Sequence, residues 1–70
     1  MTWVAVNKDG TELISQEPLK RDFVSKRWFA FRLYADGKYY PSYIELPKGS
    51  IKKLIGRELT WKDESVKYTT

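Results

Sequence analysis

The stretch Arg27–Leu46, RWFAFRLYADGKYYPSYIEL, decides how this chain folds. Two runs rich in aromatic and β-branched residues flank Asp36-Gly37, a dipeptide that favours tight hairpin turns. A two-residue turn there sets Tyr34 opposite Tyr39, Leu33 opposite Tyr40 and Arg32 opposite Pro41. Further along, Phe31 meets Ser42, Ala30 meets Tyr43, Phe29 meets Ile44 and Trp28 meets Glu45. Successive side chains on a strand point to opposite faces. Phe29, Phe31 and Leu33 therefore form one face, the natural core side. Trp28, Arg32, Tyr34, Tyr39 and Tyr43 form the other, and a small domain needs only one such face for its interior. Pro41 marks an edge position or a bulge. A bulge there would swap the faces beyond it.

Working outward, Thr2 to Val6 is β-branched and aromatic and reads as a strand. Asn7-Lys8-Asp9-Gly10 is a turn, and Thr11 to Ser15 returns from it. Centring that turn on Asp9-Gly10 pairs Val6 with Leu13 and Ala5 with Ile14. The pattern leaves open which pair faces inward. Gln16 to Lys26 is polar, is broken by Pro18, and reads as an exposed loop from which Phe23 and Val24 tuck back onto the core.

Beyond the hairpin, Pro47-Lys48-Gly49 interrupts the sheet. Ser50 is placed to cap a short helix through Ile55, and Gly56 to end it. Ile51, Leu54 and Ile55 fall on one helical face, with Lys52 and Lys53 pointing away. Leu59 and Trp61 form a packed return, Lys62-Asp63-Glu64 a turn, and Val66 to Tyr68 a last strand. The fold class is β-rich α+β: a single domain over residues 1–70, built as a small twisted antiparallel sheet or partly open barrel with one short helix.

Seventy residues support one modest core. There is no cysteine to staple it, and without cysteine or histidine a zinc site of the usual kind is excluded. Stability must come from apolar packing, from self-association, or from both, so a homo-oligomer is expected. The net charge of +4 biases the chain toward anionic partners. No apolar run is long enough to cross a membrane, and Met1-Thr2-Trp3-Val4 lacks the basic and apolar regions of a signal peptide. A cytoplasmic protein is the expectation.

Nothing in the chain calls for catalysis or a cofactor. Pro47-Lys48-Gly49-Ser50 lacks the upstream glycine of a phosphate-binding loop. Asp63-Glu64 is an adjacent pair in a turn, without the controlled separation that acid–base chemistry needs. Binding chemistry is better represented. Trp28, Tyr34, Tyr39 and Tyr43 have rings that stack on flat ligands, and Arg32 among them can clamp a phosphate. Lys52, Lys53 and Arg57, with Lys48, form a basic cluster free of acidic residues. Lys20, Arg21, Lys26, Arg27 and Arg32 form a second, countered by Asp22. The plainer alternative is that the rings pack under the Gln16–Lys26 loop or against a twin subunit.

Three functions follow from these residues. One is a non-enzymatic protein that holds a nucleotide-like anion. Another is a binder of single-stranded nucleic acid. The third is a module that docks on a host protein through tyrosine, tryptophan and arginine.

The run Glu45-Leu46-Pro47-Lys48-Gly49-Ser50-Ile51-Lys52-Lys53-Leu54-Ile55-Gly56 is followed by Leu59-Thr60-Trp61-Lys62-Asp63-Glu64. Together with Trp3 and Asp9-Gly10-Thr11-Glu12, it resembles small uncharacterised proteins of Bacteroides-type gut bacteria and their phages. The resemblance covers both ends of the chain and departs over Asp22 to Tyr43. It implies an accessory protein of a phage or mobile element; with the aromatic face and the basic residues, that origin makes sequestering a nucleotide signal to blunt host defence the form the first function would take. It transfers no activity and no site.

Overall fold

The computed structural model describes residues 1–68. Strands β1 (Thr2–Val6) and β2 (Glu12–Ser15) form the first hairpin. Strands β3 (Lys20–Asp22) and β4 (Arg27–Phe29) form a second, and β5 (Phe31–Leu33) and β6 (Tyr39–Pro41) a third. Strand β7 (Tyr43–Leu46), helix α1 (Ser50–Ile55) and strand β8 (Val66–Tyr68) complete the chain. The main sheet is antiparallel in the order β7-β2-β1-β8, and the other two hairpins are separate two-stranded sheets. Among the described residues the chain is thus β-rich with one short helix, and the strands do not close into a barrel.

The two Asp-Gly turns are built alike, and each shifts its hairpin by one residue from the expected register. Ala5 pairs with Leu13 and Val6 with Glu12; Leu33 pairs with Tyr39 and Arg32 with Tyr40. Each loop holds three residues. The Asn7 N–H donates to Thr11 O and the Tyr34 N–H to Lys38 O, closing the loops at 2.9 and 3.0 Å. Gly10 and Gly37 have φ of 92° and 79°, the left-handed residue that ends a three-residue loop. Asp9 and Asp36 each accept from the backbone N–H two residues on, at 2.9 Å. That bond favours the wider turn over the two-residue one.

A larger departure comes at Ala30 and Ser42. The hairpin anticipated from Arg27 to Leu46 is one ladder only as far as the Ser42 N–H donating to Ala30 O. Beyond it the strands diverge. β4 turns to β3, with Arg21 opposite Trp28, and β7 turns to β2, with Ile14 opposite Ile44 and Ser15 opposite Tyr43. Ser15 Oγ donates to Ser42 O at 3.1 Å, holding β2 at the fork. Neither the Phe29–Ile44 nor the Trp28–Glu45 pair forms.

Both faces of the main sheet are covered. Ala5 and Leu13 face a cluster with Leu19, Trp28 and Ala30, backed by Trp3, Tyr43 and Trp61. Val4 and Val6 face Ile51 and Leu59, backed by Ile14, Leu46, Leu54, Ile55 and Val66. The open question of the first hairpin is settled by this arrangement: β1 is buried from both sides. Helix α1 has the expected bounds, with Ile51 inward, Lys52 and Lys53 exposed, and the Gly56 N–H donating to Lys52 O. Leu59 is buried and Trp61 packs on the first cluster, as anticipated.

The cap differs. Ser50 Oγ donates back to Pro47 O, while the N–H groups of Gly49 and Ile51 donate to the two carboxylate oxygens of Glu12 at 2.6 and 2.7 Å. A side chain from β2 thus serves the orphan donors at the helix start. Lys20–Asp22 is strand rather than loop, and Phe23 and Val24 sit in an exposed turn instead of tucking inward. Asp22 builds that turn by accepting from the N–H groups of Val24 and Ser25.

Candidate functional site

The expected binding face is divided by the observed geometry. Trp28 is 3% exposed and belongs to the core. Its backbone N–H donates to Asn7 Oδ1 at 2.7 Å and its indole N–H to Val6 O at 3.0 Å, so it clamps β4 to the end of β1. Tyr43 is half-buried against the same cluster. Neither ring belongs to an open platform.

The stripe expected to be the core is outside instead. Phe31 and Leu33 are 50% and 56% exposed, and with Tyr39, at 66%, they line one face of the β5–β6 arm. Phe29 continues that stripe toward the body, its ring 5.8 Å from that of Phe31. The one-residue shift moves Tyr39 onto this face, away from Arg32 and Tyr34. Those two share the other face with Tyr40, whose ring meets Tyr34 edge-on at 5.2 Å. Tyr40 donates its hydroxyl to Asp36 Oδ2 at 2.7 Å. That bond, with the one from the Lys38 N–H, holds the Asp36 carboxyl below the usual aspartate range and pushes the Tyr40 phenol up.

On this second face the arm leans over the main sheet. Arg32, Tyr34, Ser42 and Ile44 border an open cleft of about 340 Å³ with Ile14 and Glu17. Arg32 Nε stands 3.6 Å from the Glu17 carboxylate, so part of its charge is already answered. Lys52, Lys53 and Arg57 are exposed on or just after α1, and none of them lines this cleft. Lys52 instead borders a groove at the helix start with Lys8 and Lys48, where Glu12 and Glu58 supply opposing charge. The predicted aromatic and basic residues are therefore not one constellation.

Arg21, read from sequence as one member of a basic cluster, is enclosed. Its guanidinium lies 4.5 Å from the centre of the Trp28 ring, 5.3 Å from Trp61 and 5.5 Å from Phe23. It donates to Asp63 O at 2.6 Å and pairs with Glu64 at 3.5 Å. This cation–π cage ties the loop after α1 to β3. Only the register, which sets Arg21 beside Trp28, reveals it.

The feature left over by all this packing is the arm. Phe31, Leu33, Tyr34, Tyr39, Tyr40 and nearby Ile44 are large, apolar and exposed, and they belong to neither buried cluster. They lie on both faces of the arm, Phe31, Leu33 and Tyr39 on one and Tyr34 and Tyr40 on the other. Among the described residues, no helix is long and apolar enough to cross a membrane. Comparison of the chain with family models, curated proteins and solved structures gave no match.

Proposed function

We propose that this chain is a non-enzymatic protein-interaction module that docks through the faces of its β5–β6 arm. The observation that carries this reading is the exposure of Phe31, Leu33, Tyr34, Tyr39 and Tyr40 together, outside both clusters. Rings with a polar tip bury large area at low entropic cost, and tyrosine and arginine dominate interface hot spots. The resemblance of its two ends to small proteins of gut bacteria and their phages favours a host protein as the partner. A photoreactive phenylalanine analogue at Leu33 or Tyr39, compared with one at Lys53, tests the reading in host-cell extract. The arm positions should give a discrete adduct that Lys53 does not. The identified protein, once purified, should bind the wild-type chain at least tenfold more tightly than a Phe31→Ser/Leu33→Ser variant. Equal labelling from all three positions, or none, rejects docking by the arm.

A second reading is favoured by the Arg32–Tyr34 cleft, whose volume suits a small ligand. Here a flat anion, nucleotide-like, stacks on Tyr34 and meets Arg32, while Lys52, Lys53 and Arg57 take no part. Calorimetric titration with mono-, di- and cyclic nucleotides checks it. Binding that is lost in Arg32→Ala and kept in Lys52→Ala/Lys53→Ala supports the cleft; absence of heat with every nucleotide removes it.

A further inference from the structure

The two outer edges of the arm are unlike. In the β5–β6 ladder the hydrogen-bonded positions on β5 are Ala30, Arg32 and Tyr34, fixed by the bonds Ser42 N–H to Ala30 O and Tyr34 N–H to Lys38 O. The backbone groups of Phe31 and Leu33 therefore point away from β6, and those of Tyr39 and Pro41 point away from β5. Pro41 offers no N–H, which closes the β6 edge to another strand. The β5 edge has no such guard. β3 pairs alongside β4 only up to Lys20 opposite Phe29. Two residues earlier stands Pro18, which cannot carry the ladder on to Phe31. Among the described residues, no hydrogen bond satisfies the outward groups of Phe31 or Leu33. A lone two-stranded hairpin is marginal in water, and a third strand would steady it.

Deepening the docking reading, we infer that the β5 edge pairs with β5 of a second copy, antiparallel about a twofold axis through Leu33. This register sets Leu33 against Leu33 of the other copy, Arg32 against its Tyr34 and Phe31 against Ala35 at the start of its turn, so the outward groups of Leu33 form the central pair of hydrogen bonds. A cation then meets an aromatic ring twice, and Arg32 avoids its own twin. A register one pair back, centred on Arg32, would oppose the two guanidinium groups and drive the turn toward β3. The result is a four-stranded sheet whose Phe31–Leu33–Tyr39 face stays free and carries a doubled set of the rings proposed to dock, while its other face borders the two clefts. The edge is only three residues long, so the contact falls below the size of stable interfaces. A reversible, concentration-dependent dimer is the consequence.

The chain has no cysteine, so single-cysteine variants report the register directly. Under mild oxidation Leu33→Cys should form covalent dimers at least fivefold faster than Tyr39→Cys, which is equally exposed on the closed edge. Sedimentation equilibrium from 5 to 500 μM should show wild-type dimers, and Leu33→Pro should raise the dissociation constant at least tenfold. That proline lacks an N–H that β6 does not use, and an unchanged far-ultraviolet circular dichroism spectrum and tryptophan emission verify the fold. A wild-type chain that stays monomeric to 500 μM overturns self-pairing, as does equal crosslinking at Tyr39. Docking through the arm still stands in that event if the photoadducts from Leu33 and Tyr39 contain a different protein.

Discussion

Replacing Trp28 with alanine is expected to cost about 3–5 kcal/mol, the range for deleting a buried large aromatic side chain. A chain of 70 residues commands roughly 4–10 kcal/mol in all, so the variant should lose about a third or more of its stability. The loss has three sources. The ring fills the cluster between Ala5, Leu13, Leu19 and Ala30; its indole N–H is the partner of Val6 O; and it forms one wall of the Arg21 cage. Trp28→Phe keeps most of the burial and leaves Val6 O without its donor, so about 1–3 kcal/mol should go. Urea unfolding followed by far-ultraviolet circular dichroism measures both. A Trp28→Ala variant within about 1 kcal/mol of wild type would contradict the place of this ring in the core.

Glu12→Ala is the second large effect. The carboxylate takes two backbone donors at the start of α1 from a strand more than thirty positions away in sequence, and it does so part-buried. Bonds to charged groups contribute about 1.5–3 kcal/mol each, and cap removal commonly costs about 0.5–2 kcal/mol. A loss of about 2–4 kcal/mol is expected, with Glu12→Gln retaining part of it through one acceptor oxygen. Helix α1 covers the cluster of Val4, Val6, Ile51 and Leu59, so its detachment should speed amide exchange at Ile51 and Lys53 ahead of β1. Exchange that quickens uniformly, or a stability change under about 0.5 kcal/mol, would show that the contact does not hold the helix.

Local signals in the sequence located nearly every element. Apolar spacing with Ser50 and Gly56 placed α1, β-branched and apolar runs placed β1, β2 and β8, and Asp-Gly placed two of the turns. The failure lay in one residue of turn length. Asp9 and Asp36 each capture the N–H two residues on, and the three-residue loop this favours changes which residues stand opposite. Partner choice was also beyond local reading. β4 leaves β7 for β3, the strand just before it that the polar reading of Gln16 to Lys26 had hidden, and β7 pairs with β2, some thirty positions away in sequence.

For the site, alternation correctly divided Trp28, Arg32 and Tyr34 from Phe29, Phe31 and Leu33. It could not say which set the body would cover, since both are apolar enough. The strand fork at Ala30 decides it, drawing Trp28 inward while the arm runs on past the core. Arg32, Tyr34 and Tyr39 are exposed as anticipated, on two faces rather than one.

That the arm stands beyond both clusters has a consequence for how such a protein changes over time. Residues such as Phe31, Leu33 and Tyr39 can be exchanged with little penalty to folding, because nothing in the body leans on them. On the docking reading, specificity and foldability are carried by separate parts of one short chain, and a lineage built on this scaffold would follow a changing target by rewriting a single hairpin.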